Sequence, residues 1–289
     1  MKEKTRLTML NSMAGREFPA AVERHAALGL KWLDLKDSIF GKGIVDLTDD
    51  EAREVRRLAD SKGMSVWCLS TALFYAEVES GEAAFRAHLA KVDRAIEIAR
   101  ILKPRMIRLL AAKTARRAEI ADSTAWVRRD HPWLIGLYAE AVDRIARAGF
   151  TPGIENEVHG CIWSTPAEIA SFFAALNRPQ ARLIWDVQNL WQMGTFPSLG
   201  VYRSLRPLIG NVHLKGGLAE RPGGPLKWSS ALADASWPVV DVVHAVIADA
   251  PGPVICLNPS HGEAKPGYDY KDVVARDIAF LRNTFPEIE

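Results

Sequence analysis

Short apolar runs with alternating inward and outward positions recur along the chain, and between them apolar residues return every three or four positions. The first pattern predicts strands and the second amphipathic helices. Strands are expected near 6–11, 31–36, 64–70, 105–111, 151–156, 182–187, 210–215 and 253–258. Helical periodicity fills 17–28, 49–62, 82–102, 133–148, 165–177, 198–208, 238–249 and 270–284. This alternation predicts a parallel sheet wrapped in helices, closed into a single α/β domain over 1–289, a (β/α)8 TIM barrel. Thr48 with Glu51, and Thr165 with Pro166 and Glu168, carry helix-start signals. Gly29, Gly63 and Gly149 stand where helices should end in a left-handed residue just before a strand. The strand-to-helix segments 112–132 and 216–237 are long while the opposite links are short. Long loops should therefore gather on the face where such barrels hold their active sites, and act there as lids.

Composition narrows the function classes. Hydrophobic residues make up 48% of the 289 and charged residues 25%, a balance that supplies one large core and argues against disorder. The net charge is +2, from 37 basic and 35 acidic side chains spread along the chain. With no basic stripe for nucleic acid, a small-molecule partner is expected. The start, MKEKTRLTML, lacks the apolar core of a signal peptide, and no run of about 18 uncharged apolar residues occurs. A cytoplasmic protein without a membrane partner is expected, and a homo-oligomer is left open. Cys68, Cys161 and Cys256 are odd in number and far apart, which suits reduced thiols better than a disulfide framework or structural zinc.

Four strand ends in the second half carry groups able to bind a hard cation: Glu155 in GIENE, Asp186 in RLIWDVQN, His213 in GNVHLKG and Asn258 in VICLNPSHGE. Strand alternation turns all four inward at one height, with Lys215 on the face of His213 and Cys256 on that of Asn258. Taken singly, Asp186 and Asn258 could cap the following helix and His213 could be a hydrogen-bonded core residue. Taken together they predict one divalent-metal cup, whose oxygen donors and imidazole suit Mn2+ or Mg2+, with Co2+ or Zn2+ as substitutes. Asp34, Lys36 and Arg108 also point inward, and a mainly structural Asp34–Arg108 pair is expected, with Arg108 or Lys36 a candidate contact for an anionic substrate.

These motifs resemble the xylose isomerase-like barrel superfamily of sugar isomerases and epimerases, inosose dehydratase and type-IV AP endonucleases. The resemblance rests on IENEVHG, on WDVQN with Asp186 and Asn189, and on the His-x-Lys of VHLKG, over essentially the whole length. The chain departs from the family pattern at Asn258, where a glutamate is usual, and at Gly216, where an aspartate is common. The resemblance implies a metal-dependent sugar isomerase-type enzyme that removes a proton alpha to a carbonyl to form an enediolate. It implies Glu155 as ligand and base, with Lys215 neutralising or protonating the oxyanion. An amide takes no proton at neutral pH, so Asn258 favours one-sided chemistry: isomerisation, or dehydration of a keto sugar or keto-cyclitol. A non-catalytic sugar-binding descendant is the alternative that Asn258 and Gly216 raise.

His261, and more weakly Glu263, lie beyond strand eight and could supply a replacement acid or base. His159 and Asn189 are expected near the substrate, and Trp67 and Trp163 are the candidates to stack on a sugar face. Trp32 and Trp185 should pack beneath helices. Nuclease chemistry needs more His and acidic ligands than this cup offers, and the chain has 7 His in all.

Overall fold

The computed structural model describes residues 5–36, 38–249, 252–259 and 269–289. Eight parallel strands close into a barrel in sequence order: β1 (Leu7–Leu10), β2 (Trp32–Leu35), β3 (Ser65–Leu69), β4 (Met106–Leu110), β5 (Thr151–Glu155), β6 (Arg182–Asp186), β7 (Ile209–Leu214) and β8 (Val254–Leu257). β8 pairs with β1 to complete the ring. Helices separate the strands, so the fold is the expected (β/α)8 barrel.

Local chemistry accounts for the boundaries. Thr48 and Glu51 form a full capping box on the helix Asp49–Ser61, each side chain bonding the other's backbone N–H. Thr165 caps the helix Pro166–Leu176 by accepting from the Glu168 amide. Gly29, Gly63 and Gly149 have φ of 69°, 64° and 89°, the left-handed conformation that lets a helix turn directly into a strand. Three further helices, Asn11–Ala14, Ser123–Asp130 and Val187–Gln192, lie inside segments expected to be loop or strand end.

Outward-facing strand residues join the helices in one large core that includes Trp185 and Trp191. Inside the barrel only a small apolar plug of Cys68, Met106 and Ile184 is found, with Trp67 packed against it. Above the plug the interior turns polar. Register explains this: Leu10 faces Asp34, Leu110 faces Glu155, Asp186 faces His213, and His213 faces Cys256. Among the described residues no helix is long and apolar enough to cross a membrane.

Candidate metal centre and active site

Glu155 and Asp186 end β5 and β6, and His213 lies one residue before the end of β7. All three are buried, and ligand atoms of the set lie within 4.8 Å of one another. His213 Nδ1 is 3.0 Å from Glu155 Oε1 and 3.8 Å from Asp186 Oδ2. Its Nε2 points the other way, 3.8 Å from Asp34 Oδ2, where Cys256 completes a second close group. Among the described residues neither ring nitrogen finds a well-aligned hydrogen bond, and Asp34 Oδ2 finds none either. Buried polar atoms without partners are costly, and a cation between Nδ1 and the two carboxylates would satisfy the upper set. The donors present therefore fit a divalent ion.

Asp186 divides its carboxylate between a helix cap and the cup. Oδ1 accepts from the amides of Gln188 and Asn189, capping the helix Val187–Gln192. Oδ2 faces the cup, 2.7 Å from Lys215 Nζ and 3.3 Å from Asn258 Nδ2. Lys215 also donates to Asn189 Oδ1 at 2.9 Å, so Asn189 sits in the site as a partner of the lysine. Asn258 lies beside the cup, as the strand register expected.

Charges in the mouth perturb one another. Burial works to raise the Asp186 carboxyl, but Lys215 and His213 outweigh it and hold the group ionised. Burial likewise opposes ionisation of Glu155, and the charges of His213 and Arg108 overcome it, leaving the carboxyl well below its usual range. His213 is pushed upward by Glu155 despite burial. Glu157, at the mouth two residues beyond Glu155, is pushed up to about 7 by burial and by the Glu155 charge.

Several expectations are corrected. Arg108 does not pair with Asp34: its Nη1 lies 2.5 Å from Glu155 Oε2, and its other nitrogens donate to the Ser70 and Thr71 carbonyls. β4 and β5 are hydrogen-bonded neighbours, whereas β3 separates β2 from β4, and Asp34 takes Ser70 as its partner instead. Arg108 is thus a buried structural cation rather than an open substrate contact. Trp163 is also covered, its ring stacked 3.5 Å from Phe172 and edge-on to Tyr138, and presents no face to a sugar. Trp67 packs edge-to-face on Trp32, which starts β2 at the barrel end opposite the cup. Trp32 is only half-buried there, with the Arg6 guanidinium over its ring. His159 is exposed at φ 54° in the loop after β5. His261 and Glu263 lie outside the described residues.

The structure adds groups that the sequence reading left out. Asn156 exchanges two 2.9 Å hydrogen bonds with the Asp186 backbone and locks the ends of β5 and β6 together. Gln188 donates to the Gly216 carbonyl and accepts from Ser229, tying the segment after β6 to the one after β7. An Asn after a strand-ending acid is a weak signal, because strand alternation alone turns it away from the mouth.

A parallel eight-stranded barrel with two carboxylates and an imidazole at the carboxyl ends of neighbouring strands is a (β/α)8 barrel whose mouth could hold a metal ion. The xylose isomerase-like TIM barrel profile matches residues 22–283, and the chain belongs to that family. No curated protein matches the sequence. Among solved structures, the probable 3-DHS dehydratase AsbF from Bacillus anthracis superposes with a TM-score of 0.73 at 14% identity, covering 96% of this chain and 99% of that one. A xylose isomerase-like TIM barrel protein from Mycobacterium smegmatis in complex with magnesium gives 0.73 at 13%, covering 98% and 96%. A xylose isomerase-like TIM barrel/4-hydroxyphenylpyruvate dioxygenase fusion protein gives 0.72 at 12%, and this chain spans 97% of itself but 42% of the fusion. At these identities the likeness is one of fold.

Proposed function

We propose that the chain is a divalent-metal-dependent sugar isomerase-type enzyme acting on the carbon next to a carbonyl. The observation that carries this is the convergence of Glu155, Asp186 and His213 Nδ1 at the barrel mouth, with Lys215 beside them. Mn2+ or Mg2+ suits the donor set, and a bound ion would polarise the substrate carbonyl. A magnesium-bound relative and a probable dehydratase of the same fold support the reading.

The residues divide the work by their geometry. Both oxygens of Glu155 are engaged, one by Arg108 and one by His213, which suits a ligand better than a proton acceptor. Glu157 holds its Oε2 against the Val158 amide and, at 3.5 Å, Asn189, while among the described residues no hydrogen bond engages Oε1. Glu157 is therefore the carboxylate free to take the proton alpha to the carbonyl, and a pKa near 7 matches that task. Lys215, held by Asp186 and Asn189, supplies positive charge to the enediolate oxygen. Asn258 supplies no second base, which favours isomerisation or water elimination over epimerisation.

The test is metal analysis followed by solvent-deuterium exchange into a panel of ketoses, aldoses and keto-inositols. Asp186→Ala should lose the metal. Glu157→Gln should keep it while exchange falls by about a hundredfold or more, the usual contribution of a general base. Full metal content in the first variant would refute the ligand set, and full exchange in the second would return the base to Glu155.

A further inference from the structure

Among the described residues, three Lys or Arg side chains are at the mouth, and two are already matched. Arg108 is bound to Glu155 and Lys215 to Asp186. The third, Lys36, follows β2 directly, its backbone amide fixed 2.6 Å from Asn11 Oδ1. Its side chain is half-buried and close enough to Arg108, Glu155, Lys215 and Glu157 to feel their charges. Among the described residues it has neither an ion pair nor a side-chain hydrogen bond. Burial and the Arg108 charge both work against its ammonium. A partly desolvated cation without a partner favours an incoming anion.

We propose that the substrate carries a carboxylate and that Lys36 receives it. This rests on the sugar-carbonyl reading of the cup and narrows its substrate to sugar acids. Overall charge supports it. Arg108 and Lys215 cancel Glu155 and Asp186, so a divalent ion would bring two unmatched positive charges and Lys36 a third, against Glu157 and Asp34. Asn258 is uncharged and leaves that surplus in place. β2 lies across the ring from β6, so the carboxylate belongs at the end of the ligand remote from the carbonyl, as in a uronate. A lone ammonium matches a monoanion, whereas a phosphate dianion would call for further donors.

Binding to the Mn2+-loaded protein by calorimetry tests the idea, with D-glucuronate, D-glucose and D-glucose 6-phosphate as probes. Glucuronate should bind at least about tenfold more tightly than glucose, a difference of about 1.4 kcal/mol. Lys36→Met should erase that preference without changing metal content or glucose binding, and Lys36→Arg should restore most of it. Equal binding of acid and neutral sugar, or a preference that survives in Lys36→Met, overturns the proposal while leaving the sugar reading intact. Tighter binding of the phosphate than of glucuronate overturns the carboxylate assignment. Binding of none of the three by metal-loaded protein overturns both readings. Should Lys36→Met misfold, loss of the preference in wild type on raising salt from 50 to 500 mM supports the charge contact, and an unchanged preference overturns it.

Discussion

A β-carbon built on Gly216 would lie 1.8 Å from the Ser230 carbonyl oxygen and 2.8 Å from that of Ala231. Both are backbone atoms of the returning limb of 216–237, so no side-chain rotation relieves the overlap. Glycine at the position where relatives commonly carry aspartate is thus explained by packing, without invoking a decaying site. Gly216→Ala should destabilise the fold by about 1–3 kcal/mol in urea unfolding, the usual cost of overpacking. An unchanged midpoint would mean that the limb moves aside freely. At the same scale, alternation was enough to find Glu155, Asp186, His213 and Lys215, because it fixes which face a side chain takes. It could not find the Arg108–Glu155 pair, which depends on strand register, nor the burial of Trp163, which depends on Phe172 and Tyr138 arriving from helices.

Elements of regular period were legible from the sequence because their caps and glycines agree with their hydrophobic stripes. The short helices Ser123–Asp130 and Val187–Gln192 were not, since one or two turns carry too little periodicity to stand out. The first has a consequence for the lid expected over 112–132. That segment does follow β4 at the active face, but it is pinned: Arg117 reaches both Glu168 oxygens at 2.7 Å and the Ser164 hydroxyl at 2.9 Å. Thr114 is tied in turn to Glu79 and to the Gly160 carbonyl. A strap of this kind packs as part of the scaffold rather than swinging. Arg117→Met should leave the Glu168 carboxylate largely buried and unpaired, costing about 3 kcal/mol and speeding amide exchange across 112–132. Exchange unchanged in that segment would show that the pair does not hold it.

Over the whole molecule, one buried acid links the last helix to the segment after β7. Asp277, on the helix Tyr270–Thr284, accepts the Leu232 amide at 2.7 Å through Oδ1, while Oδ2 has no partner among the described residues. Burial raises its pKa to about 7, against the opposing pull of the Leu232 amide and of Arg276. The folded chain thus holds this proton more tightly than the unfolded chain does. The associated stability is complete below about pH 4 and is lost as the pH rises through 7. Asp277→Asn keeps an oxygen for the amide and cannot titrate. Relative to wild type it should gain stability as the pH goes from 5 to 8, by at most about 3 kcal/mol, read by urea unfolding. A difference that stays constant over that range would place the titration elsewhere.

The divided carboxylate of Asp186 gives the mouth a line of communication. One oxygen is turned to the cup and the other holds the amides of Gln188 and Asn189, while the Gln188 side chain grips the Gly216 carbonyl and Ser229. Whatever pulls on the first oxygen also tilts the carboxylate plane against the second. A ligand drawn to the first oxygen would also load the two amides held by the second, and the Gln188 side chain would pass that load to Gly216 and Ser229.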